Sequence, residues 1–284
     1  MADKKKPVFS PAGESGSLKF LYETPVGRFF LKLLVNRFVS RLGGAFMNSP
    51  LSRFMIRGFV EKNQIDMERY EPGPFRCYND FFSRKLRNAP RLDEDPLSLI
   101  APCDSKLSVY RIDPDSYFHI KGVSYAIEDL LQDRELANRY IGGLCLIFRL
   151  TVDDYHRYCY IDNGRKSSNV FIPGKLHTVQ PIALRRHDIY RENCREYTVM
   201  QTEHLGTVIQ AEVGALMVGR ILNFHQEGSF SKGEEKGMFQ FGGSTIVLLL
   251  EEGRARLDQE IFDNTQMNLE TIVKIGETIG TAIG

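Results

Sequence analysis

Cysteine is scarce and unpatterned in this chain of 284 residues. The five thiols, Cys77, Cys103, Cys145, Cys159 and Cys194, are odd in number and no two form a CxxC pair. That argues against a disulfide framework or a cysteine-bound zinc and points to reduced thiols in a cytosolic compartment. HxH and HExxH are missing as well, so no metal-binding motif stands out. No apolar run reaches the roughly 18 uncharged residues of a membrane-spanning helix. The most apolar N-terminal stretch, FFLKLLV, is interrupted by Lys32 and followed by no small-residue cleavage site, which argues against a signal peptide. Net charge is close to nil, at +1.

That balance conceals an asymmetry. Residues 1–60 carry ten Lys and Arg against three Asp and Glu, net +7, leaving 27 against 33, net −6, for the remainder. An anionic surface near the N-terminus, membrane or nucleic acid, accounts for this as well as a plain solvated face does. Residues 1–18, rich in Lys, Pro, Gly and Ser, read as a flexible basic tail. From Thr24, Arg28, Lys32, Asn36 and Ser40 recur every four residues opposite Phe30, Leu31, Leu34, Val35, Phe38 and Leu42. This spacing predicts an amphipathic basic helix ending near Gly43 and Gly44. PLSRFMIRGFV, residues 50–60, repeats the mixture with Arg53 and Arg57. Both segments can dock on the protein's own core or lie on anionic lipid, and the two readings are compatible. Residues 19–95 are therefore expected to form a helical membrane-associating region.

With 42% hydrophobic residues, the chain can bury one sizeable core plus an appendage. Beyond Ile100, short runs such as LCLIFRLTV, GTVIQAEV and STIVLLL alternate with Gly and Asn turns and read as strands, with one helix over residues 127–140. KGEEKG (232–237) and KIGETIG (274–280) are both Gly-Glu turns beside hydrophobic strands, a faint echo of two interlocked repeats. The expected fold class is α+β, mainly β, with a barrel-sandwich-like core in residues 96–284.

The chemistry centres on Gly242, Gly243, Ser244 and Thr245, between the charged turn KGEEKGMFQF and the run TIVLLLEE. A serine behind two residues lacking Cβ can adopt the backbone its Oγ needs to attack the preceding carbonyl. Attack converts amide to ester; elimination and loss of ammonia then leave a pyruvoyl group at a new N-terminus. By itself the tetrapeptide reads more readily as a turn between strands. Serine needs a base, and His156, inside DDYHRYCY, is the candidate; taken alone it reads as a structural histidine. Asp104 in APCDSK is either an Asx-turn residue or an acidic partner for that base.

VDDYHRYCYIDNG (152–164), EVGALMVGRI (212–221), KGEEKGMFQFGGST (232–245) and APCDSKLSV (101–109), with YNDFFSRKLR (78–87), resemble the phosphatidylserine decarboxylase family in order and spacing, from about residue 70 onward. The resemblance implies a self-cleaving, membrane-associated carboxy-lyase that makes phosphatidylethanolamine through a Schiff base. Cleavage between Gly243 and Ser244 would give a β chain, 1–243, and an α chain, 244–284. The cofactor would be the pyruvoyl group formed from Ser244, with no metal or external coenzyme. His156 would act as general base and acid, oriented by Asp104. The implied partner is phosphatidylserine in an anionic membrane, met peripherally on the cytoplasmic face of the cell membrane; nucleic acid is not expected and a homodimer is left open. Two departures matter. Many members carry a second histidine where this chain has Cys159, so that role passes to His156, to Cys159 or to His177 in GKLHTVQP. Ser105 and Gly242 replace the commoner Gly and Leu. Arg185 and Arg186 are either phosphate contacts or a solvated turn. The rival readings are a soluble pyruvoyl-dependent amino-acid decarboxylase and a non-processing lipid-binding relative.

Overall fold

Apolar runs of three to eight residues cannot bury a face alone, so they pair edge to edge and stack. The computed structural model describes residues 6–10, 16–34, 37–115, 117–120, 123–175, 177, 189–214, 220–240 and 244–283. Among these the strands are β1 (Val8–Phe9), β2 (Ser98–Ile100), β3 (Ser105–Arg111), β4 (Tyr117–Ile120), β5 (Val123–Ala126), β6 (Leu144–Leu150), β7 (Arg157–Cys159), β8 (Gly164–Lys166) and β9 (Val170–Ile172). They continue as β10 (Arg195–Thr202), β11 (Thr207–Gly214), β12 (Arg220–Asn223), β13 (Gly228–Phe230), β14 (Glu235–Gln240), β15 (Ser244–Leu250), β16 (Ala255–Leu257), β17 (Glu270–Val273) and β18 (Thr278–Ala282). Ten form one antiparallel sheet in the order β1-β17-β3-β6-β15-β11-β10-β8-β13, with β9 also on β10. The fold is mainly β with added helices, in the expected α+β class. The large sheet stays open at β1 and β13 rather than closing into a barrel.

β15 lies deep within this sheet. Because strand side chains alternate, Ile246, Leu248 and Leu250 join one core cluster with Phe148, Tyr158 and Phe239, while Val247 and Leu249 join a second with Ile147, Ile209 and Leu130. Burial on both faces is why TIVLLL reads as continuous rather than alternating hydrophobicity. The first face is covered by the small sheet β12-β14-β7. Gly237 in β14 is required there, since a Cβ would stand 2.2 Å from the Leu222 carbonyl oxygen. The second face is covered by α6 (Ile127–Leu131), α7 (Arg134–Asn138) and the helix Ile189–Glu192. The single helix expected over 127–140 is broken because Gln132 adopts a left-handed φ of 53° and the Asp133 carboxylate caps a new helix by accepting from Leu136 N at 2.9 Å.

The N-terminal helices are α1 (Gly16–Glu23), α2 (Pro25–Leu34), α3 (Arg37–Met47), α4 (Met55–Asn63) and α5 (Tyr78–Phe82). The expected helix is seen as α2 and α3 on either side of residues 35–36, which lie outside the described residues, and α3 continues through Gly43 and Gly44 to Met47. Tyr78, Phe81 and Phe82 of α5 pack with Met47, Met55 and Phe59, tying these helices into one small cluster. Within the stretch read as a loose tail, Val8–Phe9 adds a strand to β17, and Lys6 Nζ reaches the Glu277 carboxylate at 2.7 Å.

Candidate active site

Ser244 is the first residue of β15, with Leu150 of β6 on one side and Gly214 of β11 on the other. Two ladders therefore hold its backbone. It is fully buried, and its Oγ has no hydrogen-bond partner among the described residues. A buried hydroxyl left unpaired costs about 1–3 kcal/mol, and such exceptions call for a functional explanation. Gly242 and Gly243 lie outside the described residues.

β6 ends beside Ser244, so the loop TVDDYH starts at the level of the serine. His156 closes that loop, fully buried, its ring 4.0 Å from that of Phe82 in α5, centroid to centroid. Nδ1 lies 2.9 Å from the Asp154 carbonyl oxygen. A carbonyl only accepts, so Nδ1 carries the hydrogen and Nε2 keeps a lone pair, which no described group engages. Burial pushes the imidazole pKa down to about 3, and the positive charge of Arg84 adds to the effect. The ring is therefore neutral near pH 7, the state a general base requires. Asp153 and Asp154 sit in the same quoted block, yet nothing in the spacing said that a main-chain carbonyl would orient the ring.

Asp104 has other partners than the expected one. Its buried carboxylate accepts from Lys274 Nζ at 3.0 Å, Arg69 Nη2 at 3.3 Å and Ile275 N at 2.9 Å. It makes no hydrogen bond to His156 and instead pins the turn before β18 to the start of β3. Cys159 is packed among Tyr158, Cys103 and Phe239. Burial pushes its thiol up to about 12, so it stays protonated and supplies no base at neutral pH.

His177 lies near the serine by another route. Asn193, fully buried, accepts from His177 N at 3.0 Å and donates to the carbonyls of His177 at 2.8 Å and of Gly214 at 2.7 Å, and Gly214 is the residue opposite Ser244. The His177 ring stands 3.6 Å from the Glu192 carboxylate and 3.5 Å from the Tyr22 hydroxyl of α1. Arg185 and Arg186 lie outside the described residues. Sequence reasoning also missed a fully buried ion pair, Lys236 to Glu212 at 2.7 Å, with Asn223 bonded to both. It ties β14, the strand leading toward Ser244, to β11.

The phosphatidylserine decarboxylase family profile matches residues 78–281. Phosphatidylserine decarboxylase proenzyme 2 of Clostridium acetobutylicum is 46% identical over 280 residues, 98% of this chain and 96% of that protein. The phosphatidylserine decarboxylase proenzyme of Ruminiclostridium cellulolyticum is 41% identical over 273 residues, 94% of this chain and 91% of that protein. That of Clostridium novyi is 39% identical over 273 residues, 94% and 92% of the two chains. Similarity of this extent takes in the N-terminal helices as well as the sheet, and with the ordered motifs around Ser244 and His156 it establishes that the chain belongs to the phosphatidylserine decarboxylase family.

Proposed function

We propose that this chain cuts itself between Gly243 and Ser244 and then decarboxylates phosphatidylserine to phosphatidylethanolamine at the pyruvoyl group that Ser244 becomes. The observation that carries the reading is a buried serine whose Oγ has no partner among the described residues, at the start of β15, next to a loop that holds a neutral histidine whose Nε2 likewise has none among them. Nε2 takes the hydroxyl proton as Oγ attacks the Gly243 carbonyl carbon; the C–N bond breaks, the amine of Ser244 takes the proton, and an ester links the two pieces. Removal of the Ser244 α-proton expels Gly243 as a carboxylate, and water then replaces the nitrogen of residue 244, which leaves as ammonia. The ketone so formed supplies an electron sink for an amine-bearing substrate losing carbon dioxide. His156 keeps its place at the end of the sheet, where Nε2 relays to the product carbon the proton that the substrate's ammonium group releases as the imine forms. Asp104 acts by holding the 274–277 turn.

Peripheral attachment to the cytoplasmic face of an anionic membrane belongs to the same reading. It is supported by the net charge of +7 over residues 1–60 and by the exposure of Phe29, Phe30, Phe46, Leu51 and Phe54 there.

Intact mass and carbon dioxide release test the proposal together. The purified protein should separate in denaturant into residues 1–243 and 244–284, the smaller refractory to N-terminal sequencing, and should release carbon dioxide from phosphatidylserine in mixed micelles. Ser244→Ala should stay whole and inactive. An uncut chain that is active overturns the mechanism, and release from free serine but not from the phospholipid overturns the substrate.

A further inference from the structure

The proposed base at His156 is oriented by a carbonyl, and a buried ionic clamp holds that carbonyl in place. Asp154 is 5% exposed. Its Oδ2 accepts three hydrogen bonds, from Lys106 Nζ at 2.6 Å, Thr151 N at 2.7 Å and Thr151 Oγ1 at 2.9 Å. Lys106 Nζ also reaches Thr151 Oγ1 at 2.5 Å, and Asp154 N donates to Thr151 O at 2.9 Å, which closes the turn. The carbonyl of the same Asp154 meets His156 Nδ1. Lys106, on β3, stands opposite Arg149 of β6, which in turn stands opposite Thr245 of β15. The clamp therefore fastens the loop that carries the histidine to the rung next to Ser244.

We infer that Lys106, Asp154 and Thr151 are positioning residues that hold His156 in its Nδ1–H tautomer and so leave Nε2 as the proton acceptor for cleavage. The inference rests on the reading of His156 as the base. A buried charge stripped of its partner is strongly destabilising, so single substitutions at Lys106 or Asp154 risk losing the fold; removing both charges together is milder. A polar side chain that fixes a histidine's tautomer through the loop would otherwise be indistinguishable from a structural salt bridge, so the measurement must see the ring.

The test uses Ser244→Ala protein, which keeps the chain uncut, with 15N-labelled histidine. NMR should find His156 as the Nδ1–H tautomer, and the double variant Lys106→Met/Asp154→Asn in that background should show a mixture of tautomers. In protein retaining Ser244, the same double variant should mature roughly ten- to a hundred-fold more slowly, the scale expected for a misplaced reacting group. Lys106→Arg should restore most of the rate. An Nε2–H ring in the Ser244→Ala protein overturns the inference whether or not the double variant folds. So does a folded double variant that matures at the normal rate, or one that slows with the tautomer unchanged. Normal maturation of His156→Gln instead overturns the reading of the base itself, and the tautomer result stays separate from it.

Discussion

A histidine sealed from water stays neutral far below the pH at which one in solution takes up a proton. His156 titrates near 6.5 in the unfolded chain and is held at about 3 in the folded one. Between those values the unfolded state binds a proton that the native state refuses, so stability falls as pH falls through that window and is fully retained above it. Asp154 and Glu212, whose carboxyls are pushed up by burial, act in the opposite sense, so the contribution of His156 must be read by difference. Comparing Ser244→Ala with Ser244→Ala/His156→Gln by urea unfolding, the histidine-bearing protein should lose up to about 1.4 kcal/mol more per pH unit between pH 6 and pH 4. Self-cleavage, followed on gels, should show no inflection near pH 6.5. An inflection there would assign the base to a histidine in contact with solvent.

At the scale of elements, β15 is both the start of the proposed α chain and an interior strand of the large sheet. Seven register pairs join it to β11 and seven to β6, and its apolar side chains are divided between the two core clusters. The proposed cleavage ahead of Ser244 would therefore leave the 244–284 piece woven into the 1–243 piece, with β17 adding pairs to β1 and β3. The two pieces should elute together in native gel filtration and separate only in denaturant; a free 244–284 fragment in native buffer would contradict this account. Leu248→Ala should weaken the assembly by about 2–5 kcal/mol in urea unfolding, because Leu248 has no exposed surface. The TIVLLL run made this strand legible from sequence. The break between α6 and α7 was not, since it depends on the left-handed backbone of Gln132 and the cap of Asp133, which apolar spacing does not register.

At the scale of the whole molecule, positive charge and exposed apolar side chains share the N-terminal segment. No helix among the described residues is long and apolar enough to cross a membrane. Leu51 is 74% exposed and Phe54 78%, flanking Arg53, whereas Leu31 of the same region is buried at 4%. Binding to anionic vesicles should therefore fall in part at high salt, as screening weakens the charges, and keep a remainder carried by the apolar side chains. Phe30→Glu with Phe54→Glu should remove that salt-resistant remainder in co-sedimentation. A double variant that sediments like the parent protein would mean that another surface meets the lipid.

What the sequence determined by itself was local or ordered along the chain. Strand content after Ile100, the buried run behind Ser244, the serine behind two glycines and the succession of family blocks all depend on neighbours in the chain, and hydrophobic periodicity reports such neighbours well. Tertiary structure decided which charge meets which. Asp104 bonds Lys274 across 170 positions and Arg69 across 35, with no hydrogen bond to His156. Lys106 reaches Asp154 across 48, and Val8 finds Thr271 as its strand partner. Ionic pairing and edge-strand addition depend on the distance between side chains and backbones in space, which sequence spacing does not encode. The buried setting that leaves His156 neutral, with Nδ1 on the Asp154 carbonyl, likewise belongs to the folded chain and not to its spacing.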